Sequence, residues 1–280
     1  MNNTNIVEPS FSSRMSSMLK LDFYRLFHTP VFYIMLFVAA MIPALLLTTT
    51  GIAPTATGTM PGAGVHTAPV TAPAAAVIPA TASAIEITNT WQLIESTGGS
   101  AIAENPLDFG GFANINMVFI FAGLLMAIFV AHDYSSGFAK NIFTVHSKKM
   151  DYVVSKSAIG IFSGIGMIIT YMAGAAASGL ITGKSFDVNV GGLVMCLVSK
   201  MFLMGVFCSL FLGIAVFFRN KLWLTIVFTF LFGMMLYPAG SIATLGSTVS
   251  TILISLLAGV IGAGTFGMVS TVILKRRDLA

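Results

Sequence analysis

Six stretches of this chain, near residues 31–50, 112–132, 157–182, 192–218, 222–242 and 248–274, are long and apolar enough to cross a bilayer. A hydrocarbon core about 30 Å thick takes about 20 helical residues at 1.5 Å each. Backbone in lipid must satisfy its own hydrogen bonds, so runs of this length are read as helices. The expected fold class is an all-α polytopic membrane protein with six transmembrane helices. Composition agrees: 56% of the 280 residues are hydrophobic and 9% charged, where a soluble domain carries roughly a quarter charged residues.

The basic residues orient the spans, because Lys and Arg are retained on the cytoplasmic side and acidic residues count for little. Arg14, Lys20 and Arg25 precede the first span, and Lys140, Lys148, Lys149 and Lys156 lie between spans two and three. Arg219 and Lys221 lie between spans four and five, and Lys275, Arg276 and Arg277 follow span six. Both ends are therefore expected in the cytoplasm: residues 1–30 as an N-terminal segment and 275–280 as a basic tail around a transmembrane domain of 31–274. Segment 51–111 has no Lys or Arg and carries Glu86, Glu95, Glu104 and Asp108, so it is the expected outer loop. The net charge of +4 forms no continuous patch, so the expected partner is the bacterial cell membrane and its lipids, with no nucleic acid. No cleavable signal peptide is evident, since Glu8, Arg14, Lys20, Asp22 and Arg25 precede a first apolar run too long for a signal sequence.

Within the outer loop, residues 53–83 are rich in Ala, Thr, Pro and Gly. Pro54, Pro61, Pro69, Pro73 and Pro79 would break a helix repeatedly, so this part reads as an extended loop and not a span. Residues 84–111 regain apolar character around Ile85, Ile87, Trp91, Leu93 and Ile94. Two readings stand open, a short helix on the outer membrane surface and a loop with one interfacial Trp. Before span one, Met15, Met18, Leu19, Phe23, Leu26 and Phe27 repeat at helical spacing, with Lys20 and Arg25 mostly opposite. This predicts an amphipathic interfacial helix, with Lys20, Phe23, Arg25 and Phe27 at the inner headgroup layer.

Three features bear on function. The loop 133–156, introduced by His132, carries a short apolar stripe of Phe138, Ile142 and Val145. It reads as a docking segment for a soluble partner or as a solvated loop whose lysines enforce topology. Lys200 is the only ionisable residue well inside an apolar run, where a charge costs roughly 3 kcal/mol or more. It reads as an interfacial lysine whose stem snorkels to the surface, or as a cation on a substrate path paired with Glu104, Asp108 or Asp187. Small residues at four-residue spacing, Gly160 with Gly164, Gly174 with Ser178, Ala258 with Gly262 and Ala263 with Gly267, predict close packing of spans three and six.

Catalytic chemistry is not expected of this chain. GLITGKS at 179–185 has three residues between its glycines where a phosphate loop needs four, and it follows an apolar helix on the predicted outer face. The four histidines have no metal-ligand spacing, so no metal is expected, and no GxSxG string is present. No span holds an acidic residue. Cys196 and Cys208 in one helix stand about 18 Å apart at 1.5 Å per residue, too far to bridge.

LKLDFYRLFHTPVFYIMLF at 19–37 and HDYSSGFAKNIFTVHSKKMDYVVSK at 132–156 together resemble the membrane subunit of a type-two ABC exporter, of the compact Gram-positive kind. Asp133 and Gly137 match the start of that family's cytoplasmic coupling segment. Phe138, Lys140, Ile142 and Phe143 match its short helix, and Lys156 the opening of span three. The resemblance implies a permease subunit for an amphipathic substrate such as a peptide antibiotic, lipid or drug. It also implies a separate ATPase subunit that binds ATP and Mg and docks on residues 133–150, and a second permease chain, identical or a sister. No cofactor would be bound by the chain itself. Two departures stand out: the long outer loop between spans one and two, and a short link between spans five and six, where Pro238 and residues 239–247 would form a broken outer helix. Two other classes stay open. An ion-coupled transporter or channel would use Lys200, and a non-transporting sensor or anchor would use the outer loop.

Overall fold

The computed structural model describes residues 10–50, 88–94, 114–144, 148–218 and 221–277. Helix α1 (Phe11–His28) starts at Ser10, whose hydroxyl accepts from the Ser13 amide, and ends at extended Thr29. Pro30 then opens α2 (Pro30–Thr50), a first-turn position where its fixed φ fits and its missing N–H is no loss. After a 3-10 turn (Thr90–Leu93) come α3 (Met117–Ser135), short α4 (Phe138–Thr144), α5 (Lys149–Thr182) and α6 (Val190–Phe217). Helix α7 (Leu222–Leu236) runs into a 3-10 turn (Tyr237–Ile242), and α8 (Val249–Arg277) closes the order. Six helices, α2, α3, α5, α6, α7 with its 3-10 turn, and α8, are long and apolar enough to cross a membrane.

The middle of the bundle is α3 and α6. The most apolar window of α3 is 61% buried and that of α8 only 11%, so α8 shows most of its length to the surroundings. Phe119 and Phe207 stack across the α3 and α6 contact with ring centroids 4.5 Å apart. Glycines allow the closest approaches: a Cβ on Gly174 of α5 would overlap the Ala40 carbonyl of α2, and one on Gly259 of α8 would lie 2.7 Å from the Phe202 carbonyl of α6. Gly160 and Gly164 likewise face Met126 and Met204, so the small residues of span three do pack inward. In α8 the packing residues are Gly259 and Gly262, while Ala258 is exposed.

Both described chain ends lie at one end of the bundle. Arg14 of α1 reaches Asp151 of α5 at 3.0 Å, and Lys149 Nζ donates to the Leu274 carbonyl of α8 at 3.2 Å. We call this the basic end. At the far end, Thr88 to Ile94 is folded onto the bundle: Trp91 Nε1 donates to the Phe186 carbonyl, and the Tyr171 hydroxyl donates to the Leu93 carbonyl. Leu93 and Ile94 are buried, so this part packs against helices through the short 3-10 turn; residues 84–87 and 95–111 of the same segment lie outside the described residues. The GLITGKS string ends α5: Gly183 takes φ +66° as a left-handed cap, and the Lys184 amide returns to the Gly179 carbonyl.

The segment read as an inner loop is mostly helical. Residues 133–135 finish α3, 138–144 form α4, and α5 begins at Lys149, eight positions before the expected start at 157. Its 34 residues span about 51 Å at 1.5 Å each, more than the roughly 30 Å of a hydrocarbon core. The charged residues Asp151 and Lys156 do not end the helix, because both find partners inside the protein.

Candidate functional site

At the basic end, four charges from three helices meet away from solvent. Asp22 lies on the buried stripe of α1 with Met18 and Leu26. Its carboxylate accepts from Lys156 Nζ at 2.7 Å and from the Ser155 hydroxyl at 2.7 Å. Lys156 also pairs with Asp133 of α3 at 2.6 Å, and the Tyr152 hydroxyl donates to the same Asp133 oxygen at 3.0 Å. The other Asp133 oxygen lies 2.6 Å from Arg25 Nη1, a charge contact not aligned as a hydrogen bond. Two carboxylates face two cations, so the group is neutral as a whole. Asp22, Asp133 and Lys156 are fully buried, where an unpaired ion would cost several kcal/mol.

This network holds α4 in place. The chain leaves α3 through Gly137, which takes φ +74° with open space where a Cβ would stand. The need there is for the left-handed backbone itself. Arg25 lies over the Phe138 ring at 3.8 Å and Lys156 over Phe129 at 4.3 Å. Such contacts contribute about 2 kcal/mol when desolvated. Phe143 meets Tyr152 edge-on at 5.3 Å, and Ile142 packs on the core around Met18, Val153 and Leu274. The face of α4 left in solvent is Lys140, Asn141 and Thr144. The apolar stripe is thus an inward anchor, and the surface open to a partner is polar; Val145 lies outside the described residues.

Helix α1 departs from the lipid-facing picture in the same way. Lys20 is exposed and Phe27 partly so, but Phe23 packs edge-on against Phe162 of α5 at 4.9 Å. Arg25 turns inward to Asp133 and does not face lipid. The structure therefore brings together Asp133, Phe138, Ile142, Phe143, Lys156 and Arg25, seats Phe23 apart on Phe27 and Phe162, and leaves Lys20 and Lys140 outside. Asp22, Tyr152 and Ser155 join the site without having stood out in the sequence. A trace was present: Asp22 interrupts the α1 stripe at the spacing of Met18 and Leu26, where an unpaired acid would not be tolerated.

Lys200 makes a second, separate site. It lies ten residues into α6, about 15 Å from the far end at 1.5 Å per residue, and is only 1% exposed. Its Nζ donates at 2.8 Å to Asn116 Oδ1 and at 2.8 Å to the Gly240 carbonyl in the 3-10 turn after α7. It neither snorkels nor pairs with Asp187, which is exposed in the link between α5 and α6. Glu104 and Asp108 lie outside the described residues. The turn breaks α7 where Pro238 predicts a break, and its free carbonyl is what Lys200 uses.

Comparisons with models of protein families, with curated proteins and with solved structures return no match for this chain. Its function is therefore read from its residues.

Proposed function

We propose that this chain is the membrane-spanning permease subunit of an ATP-driven type-two ABC exporter, which moves an amphipathic substrate while a separate ATPase subunit supplies energy. The supporting observation is the attachment of α4. A seven-residue helix stands outside the spans, shows a polar face, and is tied through Phe138, Arg25, Asp133 and Lys156 to α1, α3 and α5 together. A partner that rotates α4 would move these elements as one body, which is what transmission of an ATPase stroke needs. In this reading the basic end is cytoplasmic, the ATPase rests on Lys140, Asn141 and Thr144, and a second permease chain completes the pore.

The test uses the full chain purified from its host membranes. We expect ATPase activity to accompany it, and Lys140→Glu with Asn141→Asp to lower that activity at least about ten-fold, a loss of about 1.4 kcal/mol of association, with thermal unfolding unchanged. A chain without accompanying ATPase activity, or one indifferent to these changes, overturns the reading. Lys200 beside a broken helix is the one observation that favours an ion-coupled transporter. Uptake into liposomes driven by an ion gradient without ATP would decide for it.

A further inference from the structure

Lys200 carries a whole positive charge into the bundle, and both of its partners are neutral. An ammonium has three N–H donors; Asn116 and the Gly240 carbonyl take two. Asn116 spends its side-chain oxygen on Lys200, and its amide nitrogen, with two further donors, is buried and without a partner among the described residues. Because Nδ2 and Oδ1 are carried by the same carbon, those donors stand within a few ångströms of the ammonium. No carboxylate stands among the described neighbours: the Cys196 thiol donates to the Ala243 carbonyl, and Asn114 Oδ1 accepts from the backbone N–H of Asn116. Unspent donors and a cation with no carboxylate partner among the described residues therefore converge on one point beneath the 3-10 turn, whose Pro238 is exposed.

We infer that Lys200 and Asn116 form a binding point for the oxyanion of an amphipathic ligand, a carboxylate or phosphate on an apolar body. The anion accepts from the third Lys200 donor and the Asn116 amide, neutralising a charge that is expensive to bury alone. The apolar body lies among the membrane-spanning helices. Access requires the Tyr237–Ile242 turn to lift, which exchanges its Gly240 contact with Lys200 for the anion and parts Tyr237 from Ile120. This site stands whether or not an ATPase drives the chain.

The experiment measures thermal unfolding of the full chain in nanodiscs made of zwitterionic lipid, with octanoate, octyl phosphate or octanol added. Octanoate and octyl phosphate should raise the midpoint saturably, and their relative strength tells a carboxylate from a phosphate source. Octanol should not. Asn116→Asp keeps an oxygen on Lys200 and places a carboxylate where the amide donors stood, so it should fold, and its apparent affinity for both anions should fall at least about ten-fold. Lys200→Met should abolish the response. Equal protection by octanol, no saturable response in the unaltered chain, or an unchanged response in Asn116→Asp overturns the inference.

Discussion

Two lysines are fully buried in this bundle, and the protein treats them in opposite ways. Lys156, at the basic end, is held by two carboxylates and lies over an aromatic ring. Lys200, on the neighbouring helix toward the far end, has among the described residues an amide oxygen and one backbone carbonyl. The first is one member of a closed and neutral network, so removing it damages the remainder. The second is a charge with spare donors, so removing it takes away little that holds the fold. Equal burial does not mean equal duty: one lysine is structural and the other is available for binding.

The largest effect should come from Lys156→Met. It leaves Asp22 and Asp133 buried with Arg25 as the one remaining cation of the network among the described residues, and breaking a buried pair by removing one partner costs about 3–5 kcal/mol. We expect loss of a monodisperse protein, or a large fall in the unfolding midpoint measured in detergent. Lys156→Met combined with Asp22→Asn should recover part of that loss, because the unpaired charge goes with its partner. If the single change unfolds no earlier than the unaltered chain, the network is not what joins α1 to α5.

Next comes Arg25→Ala. Asp133 keeps Lys156 and Tyr152, so the core of the network survives, but Phe138 loses the guanidinium above it. The expected cost is about 2 kcal/mol, concentrated at α4. Hydrogen exchange should rise across 138–144 while the spans stay protected. Exchange that rises evenly over the whole bundle would mean that α4 is not fastened at this point.

The contrast between the lysines also shows what a sequence can carry. Apolar length is additive along the chain, so the six spans were legible and Lys200 stood out within its run, but whether it was buried or snorkelled to the surface stayed open until its partners were known. The partners were not. Asp22 and Lys156 are 134 positions apart, and nothing local joins them; the pairing exists only once α1 docks on α5. The start of α5 was misplaced for a related reason, because Asp151 and Lys156 look like solvated loop residues until their partners are known. The Gly240 carbonyl leaves even less trace, since every residue has one and only the broken helix frees it. Periodicity likewise revealed the apolar stripe of α4 but not which way it faces, since a stripe fits a partner's surface as well as the protein's own core.

The smallest effect should be Lys200→Met, and it tests the comparison most closely. Methionine is unbranched and of similar length, so it can fill the space of the lysine stem without a cavity. The change leaves Asn116 Oδ1 and the Gly240 carbonyl without their donor, which costs about 1–3 kcal/mol for buried groups. It also removes a charge from the middle of the bundle, and at the bilayer centre that alone is worth roughly 3 kcal/mol in the opposite sense. The two nearly cancel, so the unfolding midpoint should move far less than in Lys156→Met and in either direction. Replacement of Lys200 that destabilises as much as replacement of Lys156 would show that it, too, has a negative partner, and the distinction between a structural and a free cation would fail.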